Sequence, residues 1–442
     1  MTALDRPHAR TRGGDDAREA LRADYRRVRD LTEALAAPLR AEDQVIQSMA
    51  DVSPTKWHRG HTTWFFETFL LEPTLTGYDA FDPDFRYLFN SYYETVGPRH
   101  PRSERGLLSR PTVEEVARYR AHVDAAMEKL IDRCDTDAWP AFAALAVLGL
   151  HHEQQHQELL LMDIKHVLFN NPVDSVYVEA PSVARSPARP VQMLHDDGGL
   201  IEVGHALDGP AAADFAFDNE SPRHKVYLEP FRIADRLVTA GEWLEFMDDD
   251  GYRRPELWLS DGWYAVQDYG WDSPLYWRND GPDGWSAFTL NGWRPVEPSE
   301  PVVHVSHYEA DAFARWSGAR LPTEFEWEHA AASLPACDGL PDSAPRHARL
   351  HPAPAATSER SALVQAYGNV WQWTASAYLP YPRFAPAPGA VGEYNGKFMS
   401  GQMVLRGGAC ITPATHVRTT YRNFFPPGSR WLFGGVRLAA DA

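Results

Sequence analysis

A chain of 442 residues with 61 acidic against 43 basic side chains carries a formal charge of −18, which argues against a nucleic-acid partner, whose phosphates it would repel. Its length calls for two or more domains, each large enough for a core of its own. Three cysteines (Cys134, Cys337 and Cys410) are too few for a disulfide framework and fit a reducing cytoplasm. The longest unbroken apolar run, Ala141 to Leu150, is far short of a membrane span.

Residues 1–14, with Arg10, Arg12 and paired glycines, lack the apolar centre of a signal segment and read as a disordered tail. Asp15 to Ala37 reads as an amphipathic, charged helix. Ser53 followed by Pro54 reads as an N-cap with proline at the first helical position, opening a second helix over Thr55 to Leu71. Val113 to Arg133 sets Val116, Val123, Met127 and Leu130 on one side of a third. Trp139 to Phe169 is the fourth. Four long helices with polar exteriors predict a four-helix bundle over residues 15–178, an architecture that builds metal sites from facing helices. Residues 179–190 shift to Pro, Ala, Ser and Arg and read as a linker. From 191 to 442, Gly, Pro, Trp and Asn punctuate short segments, and one clear helix stands near His307 to Ser317. This predicts an irregular, loop-rich α+β domain. No internal repeat is visible.

The most informative stretch is His152-Glu153-Gln154-Gln155-His156, inside the fourth helix. Residues four apart share a helix face, so His152 and His156 can point at one metal ion. Such pairs also arise by chance. Here, however, the pair sits in a polar insertion directly after Ala141 to Leu150, and polar groups in a core helix must be satisfied. The second helix offers His58 and His61. His61, with Trp64, Phe65 and Leu70 nearby, is the deeper candidate for a third ligand; His58 is expected to cap or pack, and His151, on another face, to be structural. Three imidazoles leave about half of an octahedral ion open, which suits Fe(II) and oxygen chemistry. The same residues spell the HExxH pattern of zinc proteases, with Glu153 as base. The extended form of that pattern needs Gly and His where Leu159 and Met162 stand, and no helix supplies a suitable downstream Glu, which disfavours the protease reading.

The helical half resembles DinB-like metal-binding bundles. The second half resembles the formylglycine-generating-enzyme (sulfatase-modifying-factor, C-type-lectin-like) fold. Its cues are Arg320-Leu321-Pro322-Thr323-Glu324-Phe325-Glu326-Trp327-Glu328, Gly368-Asn369-Val370-Trp371-Gln372-Trp373-Thr374, Leu405-Arg406-Gly407-Gly408 and Gly435-Val436-Arg437-Leu438. In this order the halves resemble the ergothioneine-biosynthesis sulfoxide synthases, or hercynine oxygenases. The specific motifs are Trp57-His58-x-x-His61-Thr62-Thr63-Trp64-Phe65-Phe66-Glu67, Phe89-Asn90-Ser91-Tyr92-Tyr93, His152 through Glu158, and Tyr421-Arg422-Asn423-Phe424-Phe425-Pro426-Pro427. The resemblance covers nearly the whole chain apart from the N-terminal tail.

That resemblance implies non-haem Fe(II) held by His61, His152 and His156. It implies a reaction joining a thiol to C2 of the imidazole of hercynine, the trimethylated histidine betaine, with oxidation of sulfur to a sulfoxide by O2. Three open positions on the ion would match thiolate, imidazole nitrogen and dioxygen. Formylglycine-generating enzymes themselves need a closely spaced cysteine pair after the Arg-Gly-Gly segment; only Cys410 follows it here. Within the resemblance, Gln155 is a candidate partner for the second imidazole nitrogen, the alternative being a surface glutamine. Asn423, Phe424 and Phe425 suit a quaternary ammonium, or are plain core. Tyr92 and Tyr93 are candidate proton donors; other family members use a tyrosine of the C-terminal domain, for which Tyr378 and Tyr381 are candidates. Arg99, Arg102 and Arg105 could fork onto a carboxylate, or be solvated surface arginines. Users of γ-glutamylcysteine carry an Asn-Trp-Asp turn where this chain has Asn423-Phe424-Phe425, so cysteine is expected as the better donor, with Arg102 as its carboxylate partner. A histidine–cysteine sulfoxide synthase and a non-catalytic ligand-binding scaffold are the other readings.

Overall fold

The computed structural model describes residues 14–179, 188–207, 214–336, 339–341, 350–356, 363–387 and 389–442. Residues 1–13 of the expected tail and 180–187 of the expected linker lie outside them. The chain divides into two compact units, residues 1–157 with 206–215 and residues 158–205 with 216–442. No helix among the described residues is long and apolar enough to cross a membrane.

The first unit is helical: α1 (Gly14–Ala36), α2 (Thr55–Phe66), α3 (Val113–Arg133) and the part of α4 (Trp139–Phe169) that runs to Gln157. A capping box opens α3, with Thr112 accepting from the Glu115 amide and Glu115 reaching back. α2 starts at Thr55, as its sequence suggests, but Ser53 is not its cap. Pro54 precedes the first helical residue, Thr55, and gives no side-chain cap, while the Ser53 hydroxyl accepts from Arg105 Nη1 at 2.9 Å. The second half of the expected helix, Glu67–Leu71, winds as a π-helical turn; such turns are frequent at functional sites.

Every residue of α2 is buried, Lys56, His58, Arg59 and His61 included, so its polar groups must be partnered inside the unit. The hub is Glu153 of α4, fully buried. Its carboxylate accepts from Arg29 Nη1 at 2.9 Å and Thr32 Oγ1 at 2.6 Å, both on α1, and from Arg120 Nη2 on α3 at 3.0 Å. Arg29 also reaches Thr63 of α2 at 3.1 Å. One carboxylate thus ties all four helices together. Next to it Gln157 donates to the Val28 carbonyl at 2.8 Å and to Thr32 at 3.0 Å.

Among its described residues the second unit holds four small sheets. One is antiparallel in the order β1 (Met193–Asp196), β4 (Phe231–Ala234), β12 (Ala439–Asp441). Another runs β10 (Asn423–Phe425), β9 (Met403–Arg406), β8 (Trp371–Ala377), β11 (Gly434–Gly435), with an irregular register between Trp373 and Ala377. The others pair β2 (Gly199–Val203) with β3 (His224–Leu228), and β5 (Trp277–Asn279) with β6 (Trp285–Thr289) and β7 (Gly292–Pro295). The expectation of one clear helix is corrected here: α7 (His307–Trp316) is joined by α5 (Ala240–Asp248), α6 (Ser260–Tyr269) and α8 (Glu324–Ala331). Two of the additional helices start at capping boxes, Thr239 with Glu242 and Thr323 with Glu326. α6 ends on Gly270 at φ 63°, a left-handed stop. These elements enclose buried ions as well as apolar side chains. Arg406 and Arg422, both nearly inaccessible, pair with Glu324 and Glu328. Lys165 sits 2.6 Å from His304 Nε2, and burial lowers its ammonium to about pKa 7.

The Glu153 hub makes a measurable prediction. Burial raises the carboxyl's pKa, but Arg29 and Arg120 outweigh it and hold the group at about 2, against an ordinary 4.5. Its stabilisation is therefore complete above about pH 4.5 and lost as pH falls toward 2. Urea unfolding of metal-free Glu153→Gln should show a loss of about 3 kcal/mol at pH 7 that narrows through this window. A difference independent of pH would show that shape, not charge, matters at this position.

Candidate metal centre

α2 and α4 bring one nitrogen each from His61, His152 and His156 within 4.8 Å of one another. His61 and His152 are buried, and His156 is the most open of the three. The Nδ1 atom of His61 is 2.6 Å from the Phe89 carbonyl. A carbonyl only accepts, so Nδ1 carries the proton and Nε2 keeps its lone pair. That Nε2 lies 3.1 Å from His152 Nε2. Two nitrogens about 2.1 Å from one cation and at right angles to each other stand about 3.0 Å apart. The spacing fits adjacent corners of a metal's coordination shell.

Local packing sets this geometry. Trp57 and Trp64 stack on the His61 ring, at 4.7 Å and 5.6 Å between centroids, and Phe65 lies 5.0 Å from His152. Gly60 has no side chain where a Cβ would meet the Phe89 ring at 2.2 Å. Its absence lets Phe89 approach α2 and offer its carbonyl to His61. Gly149 does the same for α4, where a Cβ would lie 2.8 Å from the rings of Phe65 and Phe66.

Electrostatics agree with a ligand role. Burial, then His152, holds the His61 pKa well below the usual histidine range. Burial lowers His152 to about 3. Burial, then His152 and His61, lowers His156 well below that range. All three are neutral imidazoles near pH 7, the form that binds metal. Three neutral nitrogen donors suit Fe, Zn, Cu or Ni rather than Mg or Ca.

Glu153, the candidate base of the HExxH reading, is spent in its ion pairs with Arg29 and Arg120. Its carboxylate accepts from Arg29, Thr32 and Arg120 on α1 and α3, an engagement that argues against a role as the base of a protease. His58 does pack, as expected, but against a candidate ligand: its Nδ1 is 2.8 Å from His156 Nδ1. Of the three arginines, Arg99 is exposed, pairs with Glu94 and donates to the Ser91 carbonyl at 2.8 Å. Arg102 is exposed and donates to the Asp51 carbonyl. Arg105, named in sequence only as the third of the series, is the buried one. Its guanidinium lies 3.3 Å from the centre of the Trp57 ring and donates to Ser53 and Ser91. It also contributes to lowering the pKa of His61 and His156. The Phe89 carbonyl was missed altogether, although the Phe89-Asn90-Ser91-Tyr92-Tyr93 motif pointed to its segment.

Tyr93 is buried against Trp64 (5.5 Å) and Phe69 (5.2 Å), with the partly buried Tyr92 stacked on it at 4.7 Å. Gln155 is partly buried beside His156. In the second unit Tyr378 accepts from Asn219 at 2.9 Å and stacks on Phe424 at 4.1 Å. Tyr381 donates to Glu324 at 3.3 Å beneath the Arg422 guanidinium. Asn423, Phe424 and Phe425 form β10, all partly exposed, with Phe425 edge-on to Trp431.

Comparison with known proteins gives this arrangement its context. Residues 24–160 match the DinB superfamily, and residues 180–442 match the sulfatase-modifying factor enzyme 1-like domain. A hercynine oxygenase of Mycolicibacterium thermoresistibile is 32% identical over 88% of this chain and 88% of its own. The chain belongs to the hercynine oxygenase family. A second hercynine oxygenase, of Mycolicibacterium smegmatis, is 32% identical over 88% of this chain and 91% of its own. A formylglycine-generating enzyme of Streptomyces coelicolor is 27% identical over 61% of this chain and 97% of its own. Membership of the hercynine oxygenase family makes the chain an enzyme of the oxidoreductase class.

The nitrogen spacing predicts metal loss on single substitution. His61→Ala, His152→Ala and His156→Ala should each remain folded by circular dichroism and lose bound metal on anaerobic loading with Fe(II). Full occupancy in His61→Ala would move the third ligand elsewhere, with His58 the nearest alternative.

Proposed function

We propose that this enzyme is the sulfoxide synthase of ergothioneine biosynthesis, joining the sulfur of cysteine to C2 of hercynine with O2 as oxidant. The observation that carries the reading is the His61–His152 nitrogen pair at 3.1 Å with His156 beside it, in a chain aligned with hercynine oxygenases over 88% of its length. His61, His152 and His156 would hold Fe(II). Bound there, iron supplies a redox centre at which thiol, imidazole and dioxygen can meet.

The protein's own groups have separate tasks. Arg105, rather than Arg99 or Arg102, is the candidate partner for a substrate carboxylate. It is buried, and pre-ordered by Trp57 and two serine hydroxyls, so little side-chain freedom is lost on binding. Gln155 offers an amide to the imidazole nitrogen of hercynine. Asn423, Phe424 and Phe425 offer an amide oxygen and aromatic faces to its trimethylammonium group, which takes no ordinary hydrogen bond. Tyr92 or Tyr93 delivers a proton to reduced oxygen. Support for this pair comes from ring contacts that place Tyr93 near the histidines: Tyr93 lies tilted against Trp64 at 5.5 Å, and Trp64 stacks on His61 at 5.6 Å.

Cysteine is proposed over γ-glutamylcysteine because no carboxylate stands at Phe425 to meet the dipeptide's amino group. An ammonium left unpaired there forfeits on the order of 1.5–3 kcal/mol, or about tenfold to hundredfold in preference. Oxygen uptake with hercynine and each thiol, at saturating hercynine, should give the higher kcat/KM with cysteine and a sulfoxide product by mass spectrometry. A clear preference for γ-glutamylcysteine would end the argument from Phe425, and turnover of histidine but not hercynine would replace the substrate.

The tyrosine assignment has its own test. Replacing the donor by Phe should shift product from the carbon–sulfur adduct toward oxidised thiol. An unchanged ratio in both Tyr92→Phe and Tyr93→Phe would return the role to Tyr378 or Tyr381.

A further inference from the structure

His58 has no part in the chemistry proposed above, yet it is 3% exposed and lies against a proposed ligand. It precedes His61 by three residues on α2, and its Nδ1 is 2.8 Å from the Nδ1 of His156. The two rings are tilted by 54° with centroids 5.1 Å apart, so they meet through nitrogen and not face to face. At 2.8 Å one nitrogen must carry the proton and the other the lone pair. With Nδ1 engaged in this way, Nε2 is the nitrogen His156 has left for a cation. A neutral imidazole carries one proton. Were it on Nε2, His156 could accept from His58 but could not bind metal. A metal-binding His156 must therefore donate from Nδ1, and His58 must accept.

We propose that His58 is a positioning residue that holds His156 in the Nδ1–H tautomer and so presents its Nε2 to the metal. The inference rests on the reading of His61, His152 and His156 as ligands. It assigns two different acceptors to one task. The Phe89 carbonyl holds the proton of His61, at 2.6 Å, and a neutral imidazole holds that of His156. Ligating histidines generally need such a partner on the far nitrogen, and losing it typically weakens metal binding by about 10–100-fold. Trp57 packs edge-on against the His58 ring at 5.8 Å and helps to fix its orientation.

The test uses Co(II) as the probe, titrated into metal-free full-length protein and followed by its visible absorption and by competition with a chelator. His58→Phe removes the acceptor and keeps a flat ring. It should weaken Co(II) binding by about 10–100-fold and alter the absorption band. His58→Asn places Oδ1 close to where Nδ1 stood and should restore most of the affinity. A role in packing alone would give the opposite order, since Phe fills the space better than Asn. Should Phe not be accommodated, as judged by the thermal midpoint of the metal-free protein, His58→Ala makes the same comparison with His58→Asn. His152→Ala separates the two levels of the argument. Wild-type Co(II) binding in His152→Ala would overturn the ligand reading and this inference with it. Loss in His152→Ala combined with wild-type binding in His58→Phe, or with Asn no better than Phe, would overturn the positioning role alone.

Discussion

The first unit depends on one buried carboxylate. Glu153 is held between Arg29 and Arg120, with Thr32 on the same oxygen as Arg120. A long helix that crosses a protein interior with polar residues on several faces has few permitted rotations, because each buried group must meet its own partner. Glu153 and Gln157 turn toward α1 and α3, where cations and hydroxyls wait. His152 and His156 are thereby turned toward α2 and His61. Rotating α4 to bring any other residue to that place would take Glu153 away from Arg29 and Arg120 and leave a buried carboxylate uncompensated, which is strongly destabilising. The protein thus aims its histidines by burying an ion that takes no part in the chemistry.

Neutrality of the imidazoles follows from the same design. The aromatic packing of Trp57, Trp64 and Phe65 and the close approaches at Gly60 and Gly149 exclude water. Burial then disfavours the imidazolium form. His61 Nε2 and His152 Nε2 stand 3.1 Å apart, the spacing of adjacent nitrogen ligands on one cation. Their proximity is sustained by packing and by far-side hydrogen bonds, so the site is pre-ordered for an ion and need not be assembled by one.

The second unit solves a different problem. Its sheets are short and its loops long, and internal charge carries much of the cohesion: Arg406 and Arg422 with Glu324 and Glu328, and Arg437 on Gln372. This is the framework of the formylglycine-generating enzymes, without the cysteine pair their chemistry needs. Cys410 remains as a buried cysteine, in no disulfide among the described residues, after the Arg-Gly-Gly turn. Fold and activity have separated. The scaffold persists because its ion pairs and capping boxes do not depend on that reaction.

The sequence by itself determined the helical half and the face shared by His152 and His156, because helix periodicity is local and survives translation into space; on α2 it offered His61 as the deeper candidate, beside His58. It also held signals that went unread, such as Thr239 with Glu242 and Thr323 with Glu326, which open helices in a region taken for loops. Only the tertiary structure decided which arginine is buried, since Arg99, Arg102 and Arg105 share a residue type and a spacing and differ only in what covers them. Only it turned Glu153 from a candidate base into a structural ion, because its partners lie more than a hundred residues away on α1 and thirty-three away on α3. It likewise set His58 against His156, ninety-eight residues distant. Periodicity says which way a side chain leaves its own helix; what it meets there depends on how separate helices are packed.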